Sequence, residues 1–321
     1  MLPKCSVALA LLACTLAMPP AGWARELPPE KIFYKGVEVW RLSDEHTEAI
    51  VVPAWGGRLI HYARVGGANW LWAGQTDAEV PYFRWGGDKT FPGPHPMWAF
   101  TVGQMWPPPD TDAIAHQAEI RDGHLVTTSA PWAAYGGARV VREYSFSAQG
   151  ELVIQHRVTA VPGSGIPVCA WVISQVVPAK AYLPMTPDSP YKDGFFWLGG
   201  TRPLGVFQPL SPTLLEIAPA PGKAFKLGTP AHTPTIAARR GKELFIQRAD
   251  FAKNVQYPDG APDAGLTAEY YHHNALNDGE YIEMELLSPL HPLREGVEFT
   301  TRWSIQMLAE DDAKGVEALM K

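Results

Sequence analysis

The chain has 321 residues, a formal net charge of −6 and a hydrophobic fraction of 46%. Its basic residues are not clustered into a stripe, which argues against nucleic acid or an anionic membrane surface as a partner. Two of its three cysteines lie within the first 24 residues, so Cys169 has no disulfide partner in the rest of the chain, which must depend on a hydrophobic core.

Residues 1–24 are typical of an export signal. Lys4 supplies a positive charge, an apolar stretch too short to span a membrane follows, and small residues occupy positions −3 and −1 of a cleavage point after Ala24. We therefore expect a periplasmic or secreted protein of residues 25–321 with no membrane span. As an alternative, the segment ending at Cys14 resembles a bacterial lipobox, which would place a lipid anchor on that cysteine.

Most of the remaining chain has the pattern of short strands separated by turns that contain glycine. The runs predicted as strands, in chain order, are 48–52, 58–65, 125–129, 138–146, 151–161, 167–177, 243–248 and 296–307. Only residues 311–321 have a helical pattern. No linker divides residues 25–321, so we predict a single all-β domain, a large antiparallel β-sandwich with a short C-terminal helix.

Residues 84–110 combine aromatic and ionisable side chains with many glycines and prolines. This composition predicts a shaped loop and argues against a long helix or a central strand. Aromatic rings can stack on a sugar while a few polar groups bind its hydroxyls, so we predict a pocket for a polar, ring-shaped ligand. Alternatively, the tryptophans only pack as a lid. The residues expected to contact a ligand are Arg84, Trp85, Asp88, Lys89, His95, Trp98 and Trp106.

Residues 280–290 predict a strand that places Glu283 and Glu285 on one face and Met284 on the other. Two carboxylates two residues apart lie about 7 Å apart at their Cα atoms. If this face lines a cleft, their repulsion would raise the pKa of one carboxyl and make it a candidate general base or acid. Alternatively, the face is exposed and both carboxylates are simply solvated.

Several segments in chain order are similar to aldose 1-epimerases, also called galactose mutarotases. The segments similar to that family are 52–71, 152–175, 283–289 and 294–305, and the segments 86–90 and 106–110 resemble an uncharacterised bacterial branch of its superfamily. This resemblance implies a β-supersandwich whose concave face binds a carbohydrate and needs no cofactor. It also implies that Trp171 and Gln175, which share a strand face, are sugar contacts.

In the family that this chain resembles, a histidine protonates the ring oxygen of the sugar and a glutamate accepts the anomeric proton. By this resemblance Glu283 or Glu285 would be the base. The strand that should supply the histidine, residues 170–175, has none. Either His95 or Lys89 is the acid, or the protein binds a carbohydrate without catalysing mutarotation.

A third class of function is a polysaccharide lyase or hydrolase on the same fold, in which a carboxylate and either Lys89 or a tyrosine (Tyr270 or Tyr271) would transfer protons. The neighbouring His272 and His273 do not predict a metal site, because adjacent residues of a strand point to opposite faces and no second ligand motif is present. We expect no metal and no cofactor.

Overall fold

The computed structural model of the chain describes residues 26–73, 85–101, 103, 112–260, 265–273 and 279–321. In chain order its strands are β1 (Leu27–Tyr34), β2 (Val37–Ser43), β3 (Thr47–Val52), β4 (Arg58–Arg64), β5 (Asp88–Gly93), β6 (Gln117–Arg121), β7 (His124–Thr128), β8 (Val140–Phe146), β9 (Leu152–Val158), β10 (Pro167–Val176), β11 (Lys180–Pro184), β12 (Phe196–Gly200), β13 (Phe207–Ser211), β14 (Leu214–Ile217), β15 (Phe225–Thr229), β16 (Thr235–Arg240), β17 (Glu243–Ala249), β18 (Ala268–His273), β19 (Tyr281–Leu287), β20 (His291–Pro292) and β21 (Val297–Met307). The helices are α1 (Trp98–Thr101) and α2 (Ala313–Met320), with 3₁₀ turns at Pro53–Trp55, His95–Met97 and Ala133–Tyr135.

The predicted all-β sandwich is confirmed. The described strands form two antiparallel sheets, the first with 11 strands and the second with 10. In the first sheet the order is β1-β2-β3-β4-β5-β10-β19-β18-β15-β12, and β20 pairs with β10. In the second sheet the order is β13-β14-β11-β16-β17-β21-β9-β8-β7-β6.

The main core lies between the two sheets because each strand turns its apolar side chains towards the other sheet. Tyr62 of the first sheet packs edge-on against Trp303 of the second at 5.4 Å between ring centroids, and its hydroxyl donates to the Trp303 carbonyl at 3.0 Å. At the far side of the second sheet, α2 buries Val316 and Met320. The first helical turn of α2 is capped by Asp312, whose carboxylate accepts from the Gly315 amide.

The expectation that residues 84–110 exclude a central strand is wrong, because β5 lies in the interior of the first sheet. It pairs with β10 along its whole length but with β4 only at Asp88. Pro92 lies opposite Ala170, whose own N–H points away from β5 and donates to Ser288. Pro92 therefore occupies a position at which the pairing with β10 needs no N–H donor.

A buried polar network joins β5 and β10 to the second sheet. Asp88, which is fully buried, forms an ion pair with Arg142 and accepts a hydrogen bond from the Ser174 hydroxyl at 2.7 Å. The Gln247 amide donates to the same hydroxyl at 2.6 Å. These contacts fix which face of β5 and β10 is directed towards the second sheet. The side chains of the opposite face therefore point outward.

None of the helices in the described ranges is long and apolar enough to cross a membrane. Residues 1–24 lie outside the described residues, so the predicted export signal stays a prediction.

Candidate functional site

The face of the first sheet that is turned away from the second sheet, called the outer face below, carries two adjacent rows of residues, most of them polar. Strand register defines these rows, because residues directly opposite each other in neighbouring strands point to the same side. The Glu283 row consists of Gln175, Glu283, Tyr271 and Lys226. The Glu285 row consists of Lys89, Ile173, Glu285, Glu269 and Gly228.

Glu283 is the half-buried carboxyl of its row. Its Oε1 accepts a hydrogen bond from the amide of Gln175 at 3.0 Å. Burial, followed by the negative charge of Glu285, raises the pKa of Glu283 to about 7, although Lys89 opposes the shift. Glu283 therefore holds a proton in part of the molecules and lacks it in the rest near neutral pH.

Glu285 has a different environment although it lies on the same strand and face. Its side chain is fully buried, and its Oε2 accepts from the indole N–H of Trp171 at 2.5 Å and from the ammonium of Lys226 at 2.9 Å. Two donors, one of them charged, fix the orientation of this carboxylate.

Lys226 links Glu285 to a further acid. Its Nζ lies 2.7 Å from Oε2 of Glu269 and 5.0 Å from the ring centroid of Trp171. Burial by itself lowers the pKa of Lys226, but the carboxylates of Glu269 and Glu285 outweigh it and raise the pKa. The sequence offered no motif for Lys226 or Glu269. Their positions follow only from the pairing of β15, β18 and β19.

Gly228 leaves the space that the side chain of Glu269 occupies. A Cβ atom at this position would lie 2.9 Å from Cγ of Glu269 and 2.6 Å from a methyl carbon of Leu266. A larger residue would therefore displace Glu269 from Lys226.

Asp259 approaches the Glu285 row from the loop that follows β17. Its φ angle of 57° lies in the left-handed region, which few residues other than glycine adopt but which aspartate tolerates. Burial raises the pKa of Asp259, and the charge of Lys226 opposes this shift. No sequence pattern pointed to this residue.

His95 opens the 3₁₀ turn after β5 and lies against two tryptophans. Its ring centroid is 5.2 Å from that of Trp171 and 5.4 Å from that of Trp98. The indole of Trp98 is only 2% exposed, packs edge-on against Phe91 and donates to the Pro92 carbonyl at 2.9 Å. Trp98 thus supports the cluster from within, whereas Trp171 connects His95 to Glu285.

Lys89 and Trp85 lie at the other end of the Glu285 row. The Lys89 ammonium, which is buried, is 3.9 Å from Asp112, and Asp112 pairs with Arg58 at 2.8 Å. Burial lowers the pKa of Lys89, and Asp112 opposes this shift. Trp85 packs on Arg58, the partner of Asp112, and against Trp55, with 6.0 Å between the two indole centroids.

An aromatic wall closes the site beside the Glu283 row. The rings of His273 and Tyr281 stack at 4.4 Å, and Trp72 covers Tyr281 at 4.6 Å. The hydroxyl of Tyr271 lies 3.2 Å from Nδ1 of His273, and burial raises the pKa of Tyr271 to about 12. The preceding His272 is turned inward and fully buried, which confirms that the two histidines face opposite ways.

The structure thus brings together seven of the predicted site residues, namely Lys89, His95, Trp171, Gln175, Tyr271, Glu283 and Glu285. Asp88 does not join them, because alternation along β5 turns it into the sandwich, where it pairs with Arg142. Trp98 is packed within the cluster and presents no open stacking face. Arg84 and Trp106 lie outside the described residues.

The chemistry available at the outer face is proton transfer and hydrogen bonding to a polar ligand. Three glutamates, an aspartate and two lysines lie beside aromatic rings, and one carboxyl has a pKa close to neutral pH. Within the described ranges, no group of three or more His, Cys, Asp or Glu residues is arranged to hold a metal ion.

Solved structures share this fold at low sequence identity. A "putative aldose 1-epimerase" from Escherichia coli K12 superposes with a TM-score of 0.53 at 12% identity, over 84% of this chain and 99% of that chain. A galactose mutarotase-like protein from Lactobacillus casei ATCC 334 gives 0.52 at 9% identity, over 87% of this chain and 100% of that one. The fold is therefore that of galactose mutarotase-like sandwiches.

A TPR-domain containing protein from Parabacteroides distasonis ATCC 8503 gives a TM-score of 0.55 at 13% identity. This match covers 84% of the present chain but 47% of that protein, so the chain spans about half of its length. The sequence itself matches no protein-family model and no curated protein.

Proposed function

We propose that the protein binds a carbohydrate on its outer face and interconverts sugar anomers as an aldose 1-epimerase-like isomerase, with Glu283 as the general base. The observation that carries the proposal is the environment of Glu283. Its carboxyl is half-buried, is oriented by Gln175, and has a pKa of about 7. A group with this pKa can accept a proton and return it near neutral pH, which anomer interconversion requires in both directions.

The reaction assigns different tasks to the two glutamates of β19. Glu283 accepts the proton of the anomeric hydroxyl and His95 donates a proton to the ring oxygen as the bond from the anomeric carbon to that oxygen breaks and the open-chain aldehyde forms. After rotation of the aldehyde, the ring closes on its other face and both protons return. Glu285 suits binding and orientation better, because Trp171 and Lys226 already engage its Oε2.

The surroundings of Glu283 support a sugar as the ligand. The polar side chains of the two rows lie near two pairs of packed rings, His95 with Trp171 and His273 with Tyr281. Such rings can stack on the C–H faces of a sugar while the polar groups bind its hydroxyls. The likeness to mutarotase-like folds supports the same ligand class.

A second candidate function is carbohydrate recognition without catalysis. It is favoured by Gln175, which lies directly opposite Glu283. Gln175 is on the strand where the resemblance requires a histidine as the general acid. A neutral amide can bind a hydroxyl but cannot supply the proton that the ring oxygen needs.

Both candidates include export. We propose that residues 1–24 are removed after Ala24 and that the mature protein is periplasmic or secreted. N-terminal sequencing of the mature protein tests this, with Arg25 as the expected first residue. A blocked and acylated Cys14 would instead establish a lipoprotein.

The activity is tested by anomeric proton NMR on freshly dissolved α-aldoses and α-uronates. The wild type should accelerate mutarotation of at least one sugar, and Glu283→Gln should lose this acceleration. Glu298→Gln is the matched control, because the Glu298 side chain is exposed on β21 of the second sheet, and its ion partner among the described residues is the exposed Arg157.

The result also separates the two candidates. Thermal stabilisation by a sugar without any acceleration would establish recognition without catalysis. The absence of both effects for every sugar would overturn the proposal.

A further inference from the structure

Lys89 carries an ammonium group whose N–H donors have no hydrogen-bond acceptor in the part of the chain that the structure describes. Its side chain lies at the end of the Glu285 row and is only 8% exposed. The described carboxylate nearest to its Nζ belongs to Asp112, and the distance of 3.9 Å is too long for a hydrogen bond. A buried ammonium with three unused donors is costly, so this position favours a ligand that supplies an acceptor.

Asp112 is held away from Lys89 by another cation. Its Oδ2 pairs with Arg58 at 2.8 Å, and both side chains are buried. Arg58 is fixed in turn by hydrogen bonds to the carbonyls of Gly86 and Asp112. The aromatic ring of Phe91 lies 5.7 Å from the Lys89 ammonium and offers it no acceptor atom. The donors of Lys89 therefore stay available to a ligand on the outer face.

A second unsatisfied group lies beside Lys89. Gln175 is the diagonal neighbour of Lys89, which is directly opposite Ile173, and such neighbours are roughly 7–8 Å apart at their Cα atoms. The amide nitrogen of Gln175 donates to Glu283 at 3.0 Å, but its Oε1, which is buried, accepts from no donor among the described residues. Lys89 and Gln175 thus present a cationic donor and a neutral acceptor next to the proposed base.

The carboxyl groups of the same face do not exclude a further negative charge at Lys89. Glu285 is paired with Lys226 at 2.9 Å. The pKa of Glu283 is about 7, because burial and the charge of Glu285 raise it, so a proton neutralises Glu283 in part of the molecules near neutral pH. Lys89 is also two strands and two residues away from Glu283, which is about 12 Å at the Cα atoms. The two long side chains and one sugar ring can span this separation.

We infer that the sugar bound at the outer face is acidic, a hexuronate whose carboxylate pairs with Lys89 while its anomeric hydroxyl lies at Glu283. This inference rests on the proposed function and specifies its substrate class. The carboxylate accepts from the ammonium, and a ring hydroxyl donates to Oε1 of Gln175, so both unsatisfied groups gain a partner. A single ammonium matches the single charge of a carboxylate better than the nearly double charge of a phosphate.

The orientation of such a sugar also agrees with the position of the proposed acid. In a hexuronate ring the ring oxygen lies between the anomeric carbon and the carbon that bears the carboxylate, and the ring hydroxyls occupy the opposite edge. With that edge at Gln175, the ring oxygen is turned towards Trp171, which lies four residues back on the same face of β10. His95 packs on Trp171 at 5.2 Å between ring centroids.

The substrate class is tested on the wild type by isothermal titration calorimetry near neutral pH. The probes are D-galacturonate and D-glucuronate, their methyl esters, and the neutral sugars D-galactose and D-glucose. At least one uronate should bind about tenfold or more tightly than its own ester and aldose. Equal or tighter binding of the uncharged sugars would overturn the inference. Tighter binding of D-glucose 6-phosphate than of either uronate would overturn the assignment to a carboxylate.

The role of Lys89 is tested by substitution. Lys89→Met should weaken binding of the uronate by about 10–100-fold and leave binding of the aldose close to wild type, whereas Lys89→Arg should retain most of the uronate affinity. Lys31→Met is the matched control, because it removes a positive charge from an exposed site on β1 where the ion partner is the exposed Glu38. Equal weakening of uronate and aldose by Lys89→Met would show that Lys89 does not select for a carboxylate.

Failure of the proposed function gives a different result. A wild type that prefers uronates but accelerates mutarotation of no sugar overturns the isomerase and retains the substrate class. A wild type that accelerates mutarotation of aldoses and shows no preference for uronates overturns only the inference. Absence of binding for every sugar overturns both.

Discussion

Glu283 and Glu285 point to the same face of β19, yet among the described residues only Glu285 accepts a hydrogen bond from a cationic side chain. Lys226 and Trp171 both donate to Glu285, whereas Glu283 accepts from the neutral amide of Gln175. Two neighbouring carboxyls in such different environments are a common arrangement in acid–base sites, since each can then perform a separate task.

The first prediction concerns stability against pH. Burial raises the pKa of Glu283 from 4.5 to about 7, so the folded protein binds this proton more tightly than the unfolded chain does. The contribution of Glu283 to the free energy of unfolding is therefore fully present below about pH 4.5 and is lost as the pH rises towards about 7. Glu283→Gln removes that loss.

Across this window the free energy of unfolding of Glu283→Gln should gain about 1–3 kcal/mol relative to wild type. Urea unfolding at several pH values measures the difference. The free energy of unfolding of Glu298→Gln, a substitution at an exposed site, should change with pH as that of the wild type does. If the free energy of unfolding of Glu283→Gln also changes with pH as that of the wild type does, Glu283 has an ordinary pKa.

The second prediction concerns the indole donors of Trp171 and Trp98. Trp171→Phe keeps a ring beside His95 but removes a hydrogen bond to the carboxylate of Glu285, and should cost about 1.5–3 kcal/mol of unfolding free energy. Trp98→Phe removes a similar bond to the neutral carbonyl of Pro92 and should cost about 0.5–1.5 kcal/mol. Urea unfolding compares the two variants. A larger cost at Trp98 would contradict the role assigned to Glu285.

The third prediction uses two glycines of the first sheet. Gly228→Ala places a methyl group against Glu269 and Leu266, so it should cost about 1–3 kcal/mol and weaken sugar-dependent thermal stabilisation. Gly199→Ala on β12 is the control, because a Cβ atom there has open space around it. Equal behaviour of the two variants in thermal unfolding and in sugar binding would show that Glu269 tolerates displacement.

Local sequence patterns predicted the faces of individual strands well. The two-residue period of residues 281–286 placed Glu283 and Glu285 together on one face, and the structure has Met284 fully buried on the other. The same period separated His272 from His273. It also explains why Asp88 and its neighbour Lys89 point to opposite faces, although the surrounding glycines and prolines predict that both lie in one loop.

The partners across strands could not be read from the sequence. Lys226 and Glu269 have no motif, and they meet Glu285 only because β15, β18 and β19 pair in one register. Such pairings join residues that are distant in the chain, and no local pattern encodes them. Glu269 could have been found by extending the two-residue period back from Tyr271, once the pairing of the two strands was known.

The last prediction concerns Asp88 and Arg142, the buried ion pair behind the site. Arg142→Met leaves the Asp88 carboxylate without its cation in the interior, so it should cost about 3–5 kcal/mol of unfolding free energy. The double variant Asp88→Leu/Arg142→Met removes both charges and should recover most of this loss, because replacing a buried pair by apolar side chains is often close to neutral. Urea unfolding of the two variants and the wild type measures both effects. Since Asp88 faces into the sandwich, the folded double variant should retain sugar-dependent thermal stabilisation. Loss of that stabilisation in a folded double variant would mean that Asp88 contributes to the ligand site after all.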